Sequence, residues 1–198
     1  MKRSRARVPS VAFAVTLLLS ACSKAPPPAA APPKPAAQVD AARLTNAAQD
    51  GANWMTTGRT YDEQRHSPLT GINDGNVAQL GLAWHHDLDA VNRGQPSTPI
   101  VVDGVMYVTT TWSKLFALDA KTGKLLWGYD PQVPGEWGVN ACCDVVNRGV
   151  AVWNGKVYLG TLDGRLVALD AATGKPVWDV STIDTARRYA ITGAPRIV

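Results

Sequence analysis

The sequence predicts an all-β fold made of tandem four-stranded units, and three observations carry that expectation. ALDAKTGKLLW, Ala117 to Trp127, returns as ALDAATGKPVW, Ala168 to Trp178, at an offset of 51 residues. The same offset maps Gly104 onto Gly155 and Tyr107 onto Tyr158, so the similarity extends beyond the motif. Nothing between the copies has helical periodicity, whereas short runs rich in β-branched and aromatic residues alternate with turn residues. A four-stranded unit of about fifty residues that recurs in tandem suggests a β-propeller blade. Stacked solenoid layers are the alternative, with repeats that are usually shorter.

The elements follow in order. PIVV is closed by Asp103-Gly104, a two-residue hairpin signal, and VMYVTTT follows. KLFALD is the third strand, KTGK turns the chain, and LLWGYD is the fourth. The second unit copies this with Asn154-Gly155, KVYLGT, RLVALD, ATGK and PVWDV, and RYAITGAPRIV begins a third. Residues 38–198 therefore read as two blades and the start of another, the N-terminal part of a longer propeller. Ahead of them, Asn73 or Asp74 is expected to cap a one-turn helix running to Leu80, and GLAWHHDL to form a strand. Trp127 and Trp178 end the two motifs and are expected to be structural, filling the gap between adjacent sheets.

The first 37 residues have a different character. Lys2, Arg3, Arg5 and Arg7 precede an apolar run from Val11 to Leu19, too short for a membrane span. That pattern is a secretory signal over residues 1–21. LSAC, Leu19 to Cys22, resembles the lipobox of bacterial lipoproteins, which implies cleavage before Cys22 and a lipid on its thiol. Residues 22–37, rich in Pro and Ala, read as a lipid anchor and tether. The expected location is the periplasm, anchored to a bacterial membrane. Four of the 20 basic residues lie in residues 1–21 with no acidic one, so 16 of each remain and the mature chain is close to neutral. The basic balance of the whole chain is thus no argument for nucleic acid binding.

Export also sets the redox environment, since the space beyond the inner membrane is oxidising. With Cys22 acylated, the adjacent pair Cys142 and Cys143 are the remaining cysteines. Taken as residues alone they have only each other and read as two free buried thiols or a redox switch. His85 and His86 are neighbours on an expected strand and point to opposite faces, which argues against a shared metal ion.

The blade motif AxDxxTGxxxW resembles the tryptophan-docking motif of quinoprotein dehydrogenases, whose propellers have eight blades. SPLTGIN, STPIVVDGVMYV, CCDVVNRGVAVW, GTLDGRLVALDAATGK and ITGAPR together resemble the pyrroloquinoline quinone (PQQ) alcohol dehydrogenase family, nearest to its ethanol-type quinoproteins and quinohaemoproteins. The resemblance covers nearly everything after residue 50. It implies that Cys142 and Cys143 form a vicinal disulfide stacked on PQQ, that Arg148 contacts the carboxylates of the cofactor, and that Thr192 donates to it. It gives Asp144 no role.

The resemblance implies oxidation of a primary alcohol to an aldehyde, with PQQ taking a hydride equivalent and electrons passing to cytochrome c. Ca²⁺ or a lanthanide would polarise the quinone. The metal ligands and the catalytic aspartate are expected beyond Val198, as is any haem c domain, so this stretch is expected to be inactive alone. One position departs from the family pattern: NRGQPSTP has Pro96 where the family has a cofactor-contacting glutamate, so either the cofactor pocket differs or a neighbour such as Gln95 or Ser97 substitutes. The alternative function is a non-catalytic propeller lipoprotein, a scaffold of the outer-membrane assembly type. Such scaffolds lack the adjacent cysteines and their arginine.

Overall fold

The computed structural model describes residues 36–88 and 94–198. The signal segment, Cys22 and the tether up to residue 35 lie outside the described residues. The strands form two four-stranded antiparallel sheets, each in simple sequential order. The first holds β1 (Ile100–Val102), β2 (Val105–Thr109), β3 (Leu115–Asp119) and β4 (Leu125–Tyr129). The second holds β5 (Ala151–Trp153), β6 (Lys156–Gly160), β7 (Arg165–Asp170) and β8 (Pro176–Ser181). These are the two predicted blades.

Local turn chemistry sets the register. Asp103 and Gly104 both have positive φ, at 52° and 83°, and Asn154 and Gly155 repeat this at 45° and 70°. That geometry matches the right-handed twist of a tight hairpin and suits Asp, Asn and Gly. The TGK turns are held by an acid: Asp119 Oδ1 accepts from the Thr122 hydroxyl at 2.7 Å, and Asp170 Oδ1 from that of Thr173 at 2.7 Å.

The sheets share one core. Ile100, Val102, Tyr107 and Leu115 from the first pack in a cluster with Val152, Val157, Leu159, Val167 and Leu169 from the second. Trp127 spans the seam: its indole N–H donates to Ala171 O at 3.1 Å, and a Cβ at Gly174 would overlap its ring. The absence of a side chain at Gly174 is what admits the indole.

Trp84 does the same one unit earlier, donating to Ala120 O at 3.2 Å and lying on Gly123. Ala120 and Gly123 are the repeat equivalents of Ala171 and Gly174. Residues 81–88 do not form the expected strand. They nonetheless deliver a docking tryptophan that the repeat pattern did not single out. The one-turn helix before it is a 3-10 turn, Val77–Gln79, with Asn76 at its N-cap rather than Asn73 or Asp74. Asn73 instead closes a local turn, its Oδ1 accepting from Gly75 N at 3.0 Å.

The tether ends earlier than composition indicates. Ala37 and Val39 are buried in the core, Ala37 O accepts from Gly155 N at 3.1 Å, and Val39 O accepts from Asn154 N at 2.8 Å. Asp40 then caps the short helix α1 (Ala41–Thr45) through Arg43 N, and the Arg43 guanidinium grips Asp103 with two bonds of 2.9 and 3.0 Å. Residues 36–45 thus strap together the two hairpin turns at one end of the sheets. In a sequential antiparallel sheet the turns alternate between ends. The β2–β3 loop, the β6–β7 loop and the β4–β5 connection therefore share the other end, and the candidate site lies there.

Candidate functional site

The β4–β5 connection, residues 130–150, carries Cys142, Cys143 and Arg148. Three bonds fix its course. Arg165, paired with Asp163 at 2.9 Å and Asp179 at 2.6 Å, donates from Nη2 to Pro131 O at 2.7 Å. Trp137 Nε1 donates to Tyr189 O at 3.0 Å. Trp112 N donates to Val145 O at 2.9 Å.

Backbone strain gathers around this connection. Trp112 and Ser113 have φ of 59° and 57°, and Asp144 has 72°. Non-glycine residues in the left-handed region cost of order 1–3 kcal/mol each and persist where the surroundings enforce them, often at ligand sites. Cys142 and Cys143 are exposed thiols in this structure, with sulfurs 2.6 Å apart. The Cys143 thiol is held above its ordinary pKa, first by its hydrogen bond with Cys142 and then by the adjacent sulfur charge, with Arg148 pulling the other way. Cys143 and Arg148 lie on the same connection, five residues apart.

Arg148 and Thr192 come together across 44 residues. Arg148 Nη1 donates to Thr192 Oγ1 at 2.7 Å, and Arg148 N donates to Thr192 O at 3.0 Å. On its other side Arg148 O accepts from Thr98 N at 3.1 Å. The segments leading into β1 and β5 and the stretch around Thr192 therefore bond side by side. Residues 188–198 form no strand, yet this contact sets Thr192 beside Arg148. Sequence reasoning named all four residues, and the structure gathers them at one end of the sheets.

Pro96 is exposed at the same end. The expectation that Gln95 or Ser97 stands in for the missing acid meets a competing use for both. Gln95 bonds Thr109 O and accepts from the Thr110 hydroxyl at 2.9 Å. Ser97 Oγ accepts from Thr109 N at 3.1 Å and bonds Thr109 Oγ1 at 2.9 Å. Both side chains are committed to the end of β2. Among the described residues no cluster of three or more His, Cys, Asp or Glu gathers in metal-binding fashion. His86 packs its ring edge against Phe116, with centroids 6.1 Å apart.

The family model for the β-propeller domain of PQQ-dependent glucose, ethanol and alcohol dehydrogenases matches residues 54–182. The chain belongs to this family. It is 56% identical over 194 residues to the quinohemoprotein alcohol dehydrogenase ADH-IIG of Pseudomonas putida, covering 98% of this chain and 26% of that protein. The solved structure of that enzyme superposes with a TM-score of 0.79 at 59% identity, covering 83% of this chain and 24% of the other. A 1-butanol dehydrogenase (cytochrome c) of Thauera butanivorans is 58% identical over 149 residues, 75% of this chain and 21% of that protein. A europium-containing methanol dehydrogenase superposes with a TM-score of 0.74 at 39% identity, covering 79% of this chain and 28% of the other. The chain thus spans about a quarter of the length of the relatives it matches.

Proposed function

We propose that this chain forms part of the PQQ site of an alcohol dehydrogenase that oxidises primary alcohols to aldehydes and passes electrons to cytochrome c. The observation that carries this reading is that Arg148, bonded to Thr192, shares the β4–β5 connection with the adjacent cysteines at one end of the sheets. The donor set suits the cofactor. PQQ is flat and carries three carboxylates, Arg148 is exposed with a planar guanidinium, and Thr192 holds that guanidinium in place. When bound, PQQ supplies the two-electron oxidant.

The residues of this chain then have separate roles. Arg148 neutralises and orients a carboxylate. The Thr192 hydroxyl accepts from Arg148, which leaves its own hydrogen for a ligand atom. Cys142 and Cys143, joined as a vicinal disulfide in the oxidising periplasm, present a rigid apolar surface to the ring. Ca²⁺ or a lanthanide would supply the Lewis acid that polarises the quinone. The europium protein and the cytochrome c-linked relative support the metal and the acceptor. A haem c domain is a further proposal, supported by the quinohemoprotein relative. Anchoring through a lipid on Cys22 and a periplasmic location remain proposals carried by the sequence.

Family membership favours this reading over the assembly-scaffold alternative. The test is PQQ titration of the intact apoprotein in Ca²⁺, comparing wild type with Arg148→Ala. Weaker binding by the variant supports the reading. Equal affinity overturns it.

A further inference from the structure

Between the cysteine pair and Arg148 lies Asn147, a side chain that the cofactor reading does not use. It is 1% exposed. Its amide is fully engaged: Nδ2 donates to Gly160 O at 2.8 Å and to Ser113 Oγ at 3.3 Å, and Oδ1 accepts from Gly149 N at 3.0 Å. Its main-chain oxygen accepts from Thr109 Oγ1 at 3.3 Å. These partners lie on β2, on the β2–β3 loop, at the end of β6 and on the connection itself. One buried amide therefore joins both blades at the end where the candidate site lies.

The surroundings are arranged for that amide. Ser113 sits in the left-handed region at φ 57°, and its hydroxyl oxygen accepts from Leu162 N at 3.0 Å as well as from Asn147. Strained backbone thus aims an acceptor at the seam between blades. Gly149 has φ 130°, and a Cβ there would stand 3.0 Å from Thr98 O. The chain on either side of Arg148 is thereby fixed, by the Asn147 amide before it and by a glycine-only passage after it. A buried amide that lost its partners would free this turn, because an unsatisfied polar group in the interior is costly.

We infer that Asn147 is a positioning residue for PQQ binding: its buried amide locks the turn that aims Arg148 at the cofactor and at Thr192. The inference rests on the cofactor reading above and adds to it a residue that never touches the ligand. A residue that acts through Arg148 loses its influence when Arg148 is gone, whereas one that only supports the fold weakens binding equally in both backgrounds.

The experiment is a double-mutant cycle on the intact apoprotein, reading the dissociation constant of PQQ in Ca²⁺, with a thermal melt of each variant. Asn147→Leu is expected to weaken PQQ binding about tenfold, the scale of one charge-assisted hydrogen bond. In the Arg148→Ala background the same change is expected to cost less than about twofold. Asn147→Asp keeps the shape and the acceptor for Gly149 N but loses both Nδ2 bonds. It runs through the same cycle, so a leucine variant that fails to fold does not end the test. Equal losses in the two backgrounds, or no loss in either, overturn the positioning role. If Arg148→Ala alone leaves the affinity unchanged, the cofactor reading falls first and this inference with it.

Discussion

Arg148 and Thr192 are joined by three hydrogen bonds: backbone to backbone at 3.0 Å, and from Arg148 Nη1 to the Thr192 hydroxyl at 2.7 Å and to Thr192 O at 3.3 Å. The backbone bond survives any side-chain change, so the two contributions can be separated. Thr192→Val keeps shape, backbone pairing and the Thr192 O contact to the guanidinium, and removes the shorter hydroxyl contact. PQQ affinity is expected to fall by about 1 kcal/mol for Thr192→Val and by about 1.5–3 kcal/mol for Arg148→Ala. Isothermal titration of the two variants checks the order. A larger loss for Thr192→Val reverses the assigned roles.

Cys142 and Cys143 lie with their sulfurs 2.6 Å apart. Protein purified from the periplasm is expected to show no thiol reactive at these positions under denaturing conditions until a reductant is added. Mass spectrometry after alkylation reads this directly, as two added groups after reduction and none before. Alkylation at both cysteines without reductant contradicts the vicinal disulfide.

The blades were legible because their signals are local. Asp103-Gly104, Asn154-Gly155 and the two TGK turns each need particular residue types at particular backbone angles. The four candidate site residues were named only through resemblance, since Thr192 and Arg148 are 44 positions apart and meet by tertiary pairing. Three features stayed hidden for the same reason. Trp84 precedes Trp127 by 43 residues rather than 51, and its partner turn belongs to the following unit. Ala36 and Ala37 have tether composition, but the hairpin at Gly155 gives the second of them a bonding partner. Asn147 looks like a turn residue until Ser113 and Gly160 close around it.

Asp119 gives the fold a dependence on pH. Its pKa is lowered, first by the hydrogen bond from the Thr122 hydroxyl and then by that from Thr122 N. A carboxylate with a depressed folded pKa stabilises the fold above its unfolded value, near 3.8, and that contribution is lost as pH falls through the folded value. Below about pH 4 the wild-type chain is expected to lose thermal stability more steeply than Asp119→Asn, whose cap does not titrate. Melting curves at pH 7, 4 and 3 check this. Parallel decline of the two proteins removes Asp119 from the acid response.

The indole seams test the architecture directly, because each docks a ring from one unit onto a turn of the next. Trp84 and Trp127 each bury a ring against a glycine and donate to the equivalent carbonyl, Ala120 O or Ala171 O. Truncating either removes a large partly buried surface and one hydrogen bond; Ala120 O loses the indole donor, whereas Ala171 O keeps the Tyr107 hydroxyl at 3.2 Å. Each of Trp84→Ala and Trp127→Ala is expected to cost about 3 kcal/mol, at the low end of aromatic truncations in cores. Leu126→Ala on the exposed face of β4, where Leu126 is 48% accessible, is expected to cost less than about 0.5 kcal/mol. Gly174→Ala should resemble Trp127→Ala, since the added Cβ would occupy the space of the Trp127 ring. In the double variant Trp127→Ala with Gly174→Ala the clash is gone, so the two costs should combine to less than their sum. Urea denaturation of the four single variants and the double variant measures all of this. Full additivity would show that Trp127 and Gly174 do not form one unit, and the seam between the blades would then rest on the aliphatic core and the bonds of Asn147, Ser113 and Arg165.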